Sequence, residues 1–585
     1  MSRVNNNSQD TIDVSSPKSK IESSSSFNST TEEVSYSKPG IFREFADSFK
    51  RAEDIVIIRD LENGEKEEIR QAPVLKQTLK KRQLQMIALG GCVGSGLLVV
   101  SGQALKIGGP ASLMIAWAIV SSFLYCTMQS LAELSSAYPV SGSFATYAAK
   151  FVDPSWGFAM GWNYALFWVV VMPLELVASS MTIKFWNSNI NSVVWIVIFY
   201  VLIIGLNLYG NQAFGETEFI ASVIKLLGVV GFNILAVILI CGGVGDQGYI
   251  GGKNWTPPFN SGFKGVVSVL LSATYSLAGT ELVGLTTTES EGNPRKVLPK
   301  AIKQVLWRIL IFYMLTLMLI AFLVPSSSPE LLDGTSSSDA SASPFVIAIK
   351  AGGIKVLPSI FNVVILVALL SIGNSAVYGF SRTILALAEQ GLAPKIYTYV
   401  DRKGRPLAGI ATSAIVGLLS FVSASKYEDQ VFGWLVSLSG LSTLFTWGSI
   451  NASFIRYRSG MKAQDRSLDE LPYRSNTGII GAYYGLIMNF VVLALQFWLA
   501  LFPIGQKPSP VSFFQTYLGA IIIVVFYFGH KIFARNWIFL IRAKDIDIDG
   551  GKRETDVDLL RQELEEEKEH LKAQPLYYRI YSFWC

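Results

Sequence analysis

The stretch Ile87-Ala-Leu-Gly-Gly-Cys-Val-Gly-Ser-Gly-Leu-Leu-Val99 decides how this chain folds. It lies in an apolar run, 85–107, long enough to cross a bilayer core, which takes roughly 20 helical residues. Gly90, Gly91, Gly94 and Gly96 crowd its middle, with Ser95 between the last two. Glycine destabilises a helix by about 1 kcal/mol relative to alanine, so a lipid-facing helix has no reason to gather glycines there. The expectation is an unwound segment at mid-membrane depth, tolerated only where its backbone is buried in protein or lines a cavity. The amides of Ser95 and Gly96, opening the second half-helix, would face an anion with the helix dipole behind them. The competing reading is close helix packing through small residues. A second apolar segment, 263–288, carries Ser272-Ala-Thr-Tyr-Ser-Leu-Ala-Gly-Thr-Glu-Leu-Val-Gly284 and is interrupted at Ala278-Gly279-Thr280-Glu281. Two interrupted segments at corresponding places in two halves point to a transporter site.

Composition sets the class. Of 585 residues half are hydrophobic and only 16% charged, against roughly 25% in soluble domains: an all-α polytopic membrane protein. Twelve spans are expected, at 85–107, 111–138, 155–184, 193–209, 218–241, 263–288, 305–324, 357–387, 408–422, 430–455, 480–502 and 513–533. Lys and Arg crowd alternate loops (Lys80, Lys81, Arg82; Arg295, Lys296; Arg402, Lys403, Arg405; Arg456, Arg458; Lys531, Arg535), which places both termini in the cytoplasm. The polar, serine-rich residues 1–80 read as a disordered tail with Lys18 and Lys20 as ubiquitin acceptors or plain solvated charges. They contain no apolar signal-peptide core, so the first span is expected to act as an uncleaved signal. Asn28-Ser-Thr30 matches a glycosylation acceptor but would stay unmodified in the cytosol. Residues 534–585 form a second cytoplasmic tail with a short acidic helix over 556–573, and the terminal Cys585 is an S-palmitoylation site or a plain thiol. No cysteine or histidine spacing suggests a metal site. The spans hold no histidine cluster and no paired aspartates, which excludes a membrane enzyme.

Glu133, Glu175, Lys225 and Glu281 fall well inside spans. A charge at the bilayer centre costs about 2.5–3.5 kcal/mol, so each is read as functional by default. Lys225, placed two turns into the fifth span, is read as a proton carrier or a lysine snorkelling to the interface. Glu281 follows the second break, where it would cap freed amides or gate the cytoplasmic path; Glu175, past Pro173, would pair with a cation or carry a proton. Glu133 lies toward the inner end of its span and reads as structural.

Gly108-Gly-Pro-Ala-Ser-Leu113, Pro344-Phe-Val-Ile-Ala-Ile-Lys350, Ser371-Ile-Gly-Asn-Ser-Ala376, Asp401-Arg-Lys-Gly-Arg-Pro406, Leu438-Ser-Gly-Leu-Ser442 and the terminal Phe-Trp-Cys resemble the amino acid–polyamine–organocation superfamily. Within it they resemble the fungal amino-acid permeases of the yeast amino-acid transporter family, most of all the general amino-acid permease subgroup. The resemblance covers 79–585. It implies a five-plus-five inverted repeat (LeuT-like) with broken helices 1 and 6, repeats at 81–241 and 263–458, and two additional helices at 480–533. It implies uptake of L-amino acids with protons across the plasma membrane, after passage through the endoplasmic reticulum. No cofactor and no nucleic acid are implied; membrane lipid, ubiquitin ligase adaptors and secretory export machinery are the expected partners. By motif, Gly94, Ser95 and Gly96 would hold the substrate carboxylate. Backbone around Cys92 and at Tyr275, Ser276, Leu277 and Ala278 would receive the ammonium. Phe167, Ser371, Asn374 and Ser439 would line the side-chain pocket, and Lys225 would occupy the place of a sodium ion and tie its span to carbonyls at the first break. Phe167 stands where the general permease carries a polar residue, which implies a narrowed or shifted substrate range. A permease for basic amino acids, proline or polyamines, and an amino-acid sensor with little flux, are the rival functions.

Overall fold

The computed structural model describes residues 47–52, 55–60, 66–71, 83, 86, 93–140, 142–186, 189–243, 248–282, 284, 307, 309–331, 343–424, 428–550, 557–576 and 578–579. The chain divides into two units, Met1–Asp47 and Ser48–Cys585, and the elements below belong to the second. It opens with an antiparallel hairpin, β1 (Ile55–Asp60) and β2 (Lys66–Gln71), with Ile55 opposite Gln71 and Asp60 opposite Lys66. This hairpin stands inside the stretch expected to be disordered. Its β-branched Ile55-Val-Ile-Ile58 is a strand former among polar neighbours.

Helices make up nearly all the rest. A π-helical turn, Gly96–Val100, leads into α1 (Ser101–Gly108). Then come α2 (Pro110–Ala137), the short α3 (Ser143–Phe151), α4 (Pro154–Ile183), α5 (Ser192–Tyr209) and α6 (Asn211–Ile240). After them come α7 (Gly262–Leu277), α8 (Thr316–Leu323, entered through a π-helical Ile309–Leu315), α9 (Pro344–Ala351) and α10 (Leu357–Glu389). The chain closes with α11 (Leu407–Gly417), α12 (Glu428–Ala463), α13 (Gly478–Leu501), α14 (Pro510–Ala534) and α15 (Val557–Ala573). Among the described residues seven helices are long and apolar enough to cross a membrane: α2, α4, α5, α6, α10, α13 and α14.

Local chemistry sets the ends. Gly109, at φ 84°, turns the chain before Pro110 opens α2. The Asp153 carboxylate accepts from the Ser155 amide at 3.2 Å to cap α4, and Asn191 caps α5 through Val193 at 3.0 Å. Helix α4 is buried almost throughout and packs on α10 and α12. By contrast α5, α6, α13 and α14 turn Val201, Leu227, Phe490 and Phe533 outward, as lipid-facing helices do. Residues 48–52 and 541–548 are fastened to the helical bundle. The Asp401–Arg405 ion pair (2.5 Å) anchors the first segment: the Arg405 guanidinium also donates to Ser48 Oγ at 3.0 Å and to the Leu208 carbonyl. Ile546 and Ile548 are buried in the second, where Gln464 donates to the Ile546 carbonyl at 2.7 Å.

Candidate functional site

Both expected interruptions are present. Before α1 the chain bends at Val93 and Gly94 and becomes helical from Ser95. Helix α7 stops at Leu277: Ala278 is extended (φ −60°, ψ 154°) and Gly279 takes φ 84°, a conformation that favours glycine. The broken ends of α7 are tied by their own side chains. Thr280 Oγ1 donates to the Leu277 carbonyl at 2.8 Å, and Glu281 Oε1 accepts from the Gly279 amide at 3.2 Å. Glu281 Oε2 accepts from Trp447 Nε1 of α12 at 3.1 Å, so this carboxylate caps the break and pins it to a neighbour.

The two breaks touch. A Cβ on Gly96 would lie 2.7 Å from Ser276 Oγ and 2.8 Å from its Cβ, with the Ser276 Cα nearer still. A Cβ on Gly94 would run into the Ile372 side chain of α10. At Gly96 the neighbour is backbone, so glycine there is a packing requirement; at Gly94 it is the end of a flexible side chain. Beside this contact Ser95 Oγ donates to Glu175 Oε1 of α4 at 2.7 Å and lies 3.0 Å from Tyr275 OH, which itself donates to Glu175 Oε1 at 3.3 Å. One carboxylate oxygen therefore joins α4 to both broken helices. The other, Glu175 Oε2, is buried and has no hydrogen-bond partner among the described residues.

These groups line a cavity of about 30 Å³, walled by Ser95, Gly96, Phe167, Glu175, Tyr275, Ser276 and Ala278, and also by Trp168, Val171 and Ile372. That holds about one or two waters, so admitting an amino acid requires side chains to move. Phe167 and Trp168, edge to face with centroids 5.0 Å apart, are the largest groups in the way. The Trp168 indole lies against Gly379 of α10, and its Nε1 is buried without a partner among the described residues. Trp168, Val171 and Ile372 escaped the sequence reading; Trp168 and Ile372 each neighbour a residue that was singled out. The carbonyls expected to receive an ammonium already accept internal bonds: Tyr275 from the Ala278 amide (3.2 Å), Ser276 from Tyr313 OH (2.9 Å) and Leu277 from Thr280. Each keeps one lone pair.

Three residues expected in the side-chain pocket, Ser371, Asn374 and Ser439, do not line this cavity, and neither does Leu277, expected to offer its carbonyl. Asn374 Oδ1 accepts from Asn207 Nδ2 of α5 at 2.8 Å, Ser439 Oγ donates to the Leu435 carbonyl at 2.8 Å, and Ser371 is engaged by α6. Cys92, Cys585, Lys18, Lys20 and Asn28 lie outside the described residues.

Lys225 sits deeper than its sequence placement. Helix α6 begins at Asn211, which puts Lys225 about 21 Å along the axis at 1.5 Å per residue. Its ammonium is fully buried, 3.3 Å from Glu218 Oε1 and donating to Ser371 Oγ at 2.8 Å, while Ser371 Oγ donates to the same Glu218 oxygen at 2.6 Å. This rules out snorkelling. The described partners of Lys225 tie it to α10 and along α6; the carbonyls of the first break to which it was expected to bond lie largely outside the described residues. Glu218, also fully buried, was missed because its charge marked the expected start of the span. Glu133 of α2 is held by Arg458 of α12 at 2.6 and 2.7 Å and by the Ser475 amide at 2.8 Å, a fixed join between helices.

Two helices broken where they face each other, with a carboxylate and hydroxyls closing on a buried cavity, define a membrane transporter of the LeuT type, built on inverted repeats. The fold is shared with the crystal structure of an Eremococcus coleocola manganese transporter, at TM-score 0.50 and 15% identity over 78% of this chain and 94% of that one. Residues 83–542 match the amino acid permease family, and the chain belongs to it. It is 71% identical to amino-acid permease GAP6 of Candida albicans over 94% of this chain and 96% of the relative. General amino-acid permease GAP2 of Candida albicans is 52% identical (93% of each chain), and general amino-acid permease GAP1 of Saccharomyces cerevisiae 51% (93% and 92%). The protein is a transporter and not an enzyme.

Proposed function

We propose that this permease is a broad-specificity, proton-coupled symporter of L-amino acids at the plasma membrane, working by alternating access with both termini in the cytoplasm and the proton gradient as its driving force. The observation that carries the reading is the Ser95–Glu175–Tyr275 junction, where one buried carboxylate oxygen is shared by both broken helices and the other has no partner among the described residues. The substrate carboxylate takes the amides at Ser95 and Gly96, where the second half-helix begins. The ammonium takes the remaining lone pairs at the end of α7, or Glu175 Oε2. Ser95 Oγ, now held by Glu175, is free to turn to the substrate once Glu175 is protonated, which couples proton entry to binding. Names of the relatives, two of them general permeases, support breadth, and the lysine-rich loops support the orientation.

Uptake of radiolabelled leucine, arginine, proline, glutamate and spermidine in permease-deficient cells, at acid and neutral pH and with a protonophore, tests this. Broad uptake that rises at acid pH and collapses with the protonophore is expected. Uptake of one chemical class alone replaces this reading with a specialised permease; binding without flux, with the protein at the surface, replaces it with a sensor.

A further inference from the structure

We propose that Glu218 accepts the proton that Lys225 gives up during transport, so that the proton is carried by a lysine–glutamate pair bridged by Ser371. This rests on the proton-coupled reading above. Both side chains are fully buried; Nζ donates to Oε1 directly at 3.3 Å, and Ser371 Oγ offers a shorter path, accepting from Nζ at 2.8 Å and donating to Oε1 at 2.6 Å. That is a two-step relay. An N–H bond of Lys225 breaks as an O–H bond forms on Ser371, and the original Ser371 O–H proton passes to Glu218. The products are a neutral amine and a neutral carboxylic acid. Glu218 then loses its proton to water, and Lys225 takes another from the opposite side.

Three features separate this pair from the structural ones. Glu133 and Asp401 bind arginine through both carboxylate oxygens, and a guanidinium does not give up its proton. Glu218 binds a lysine, which does when buried. It uses one oxygen only: Oε2 has no partner among the described residues. The neutral form of the pair also escapes the desolvation cost that a buried ion pair carries.

Glu218 is placed to release the proton. Its backbone lies about 10 Å nearer the start of α6 than that of Lys225, and its side chain reaches along the helix to the ammonium, 3.3 Å away. On this part of α6 Ser222 Oγ donates to the Met86 carbonyl at 3.0 Å and Gln83 donates to Glu216 at 2.9 Å. These bonds join α6 to the residues preceding the first break, on the side of the pair from which Glu218 rises. Among the described residues Glu175 is the other charged group that acts on Lys225; Glu216 and Arg382, elsewhere along α6, are held by Gln83 and Asn211.

The test uses the full-length protein in proteoliposomes and the ratio of accumulation driven by a proton gradient to tracer exchange without one. In E218Q the ratio is expected to fall at least tenfold. E218D keeps the charge, so it guards against a folding failure, but draws the carboxyl back by about 1.5 Å; its ratio is expected to fall at least threefold. A ratio within twofold of the original in E218D, or an equal loss of both activities, overturns the assignment. Original protein that neither accumulates leucine on a proton gradient nor takes up protons with it refutes the symport reading itself.

Discussion

Replacing Gly96 with alanine tests whether contact between the two breaks is needed for transport. Ordinary van der Waals contact starts at 3.4 Å, and the new methyl would meet Ser276 Cβ at 2.8 Å and its Cα closer still. The Cα is backbone, so no rotamer relieves the clash, and the half-helices must part by about 1 Å, at a cost of about 1–3 kcal/mol. Ser95 precedes Gly96 and Tyr275 precedes Ser276. A shift of about 1 Å stretches the Ser95–Tyr275 contact of 3.0 Å, and with it the Ser95–Glu175 bond of 2.7 Å, past hydrogen-bond range. A bond to a carboxylate contributes about 1.5–3 kcal/mol, so uptake of leucine at subsaturating concentration falls about tenfold or more. Alanine is the better helix former by about 1 kcal/mol, so the loss is not one of helix propensity. Gly205→Ala on α5 and Gly231→Ala on α6, which meet nothing within 4 Å, provide controls with unchanged uptake. Initial rates are measured with surface abundance in the same cells. Uptake by Gly96→Ala within twofold of the original, at equal surface abundance, refutes the argument.

Other changes separate structural from transport roles. Glu133→Ala strands Arg458 in the interior, at about 3–5 kcal/mol, so the melting temperature in detergent drops; adding Arg458→Met to Glu133→Leu restores most of it. Phe167→Ala widens the cavity beside Trp168, so competition by phenylalanine and tryptophan strengthens at least fivefold relative to alanine in an uptake-inhibition panel. Arg405→Lys gives up the planar fork that holds Asp401, the Leu208 carbonyl and Ser48 together. Cleavage by added protease near residues 48–52 then accelerates at least threefold.

The helices were legible because their ends are written locally. Gly109-Pro110, Asp153-Pro154 and Asn191-Ser192 each pair a turn or cap with a helix start, and the observed ends fall close to the expected ones. Glu218 shows how that method fails. Hydropathy treats a charge as a boundary, so α6 was begun seven residues late and Lys225 was placed too shallow. The short helices α3 and α9 lie between spans and left no such mark. The breaks were legible because glycine's cost to a helix is local and large. The pocket wall was not. Ser371, Asn374 and Ser439 were expected to face substrate because the resemblance places them in the side-chain pocket. In an apolar interior, small polar side chains instead satisfy one another or their own helix backbone, and here they bond to Lys225, Asn207 and the Leu435 carbonyl. The wall falls to Phe167, Trp168 and Ile372, which hydropathy cannot tell from lipid-facing residues.

Charge inside a span was the strongest functional signal in the sequence, and the structure divides it by partner. The insertion cost of about 2.5–3.5 kcal/mol is similar for each, so cost alone cannot rank them. Glu133 is engaged through both oxygens by an arginine, and Glu281 by a backbone amide and an indole. None of those donors gives up its proton, and both carboxylates hold helices in place. Glu175 rests on two hydroxyls with one oxygen open, and Lys225 rests on a carboxylate and a hydroxyl. Hydroxyls can reverse their hydrogen bonds, and an ammonium facing a carboxylate can pass its proton across. The residues able to change protonation without breaking the fold are therefore those whose partners can exchange a proton or a hydrogen bond. Both lie at junctions between helices, Glu175 where both broken helices meet α4 and Lys225 where α6 meets α10.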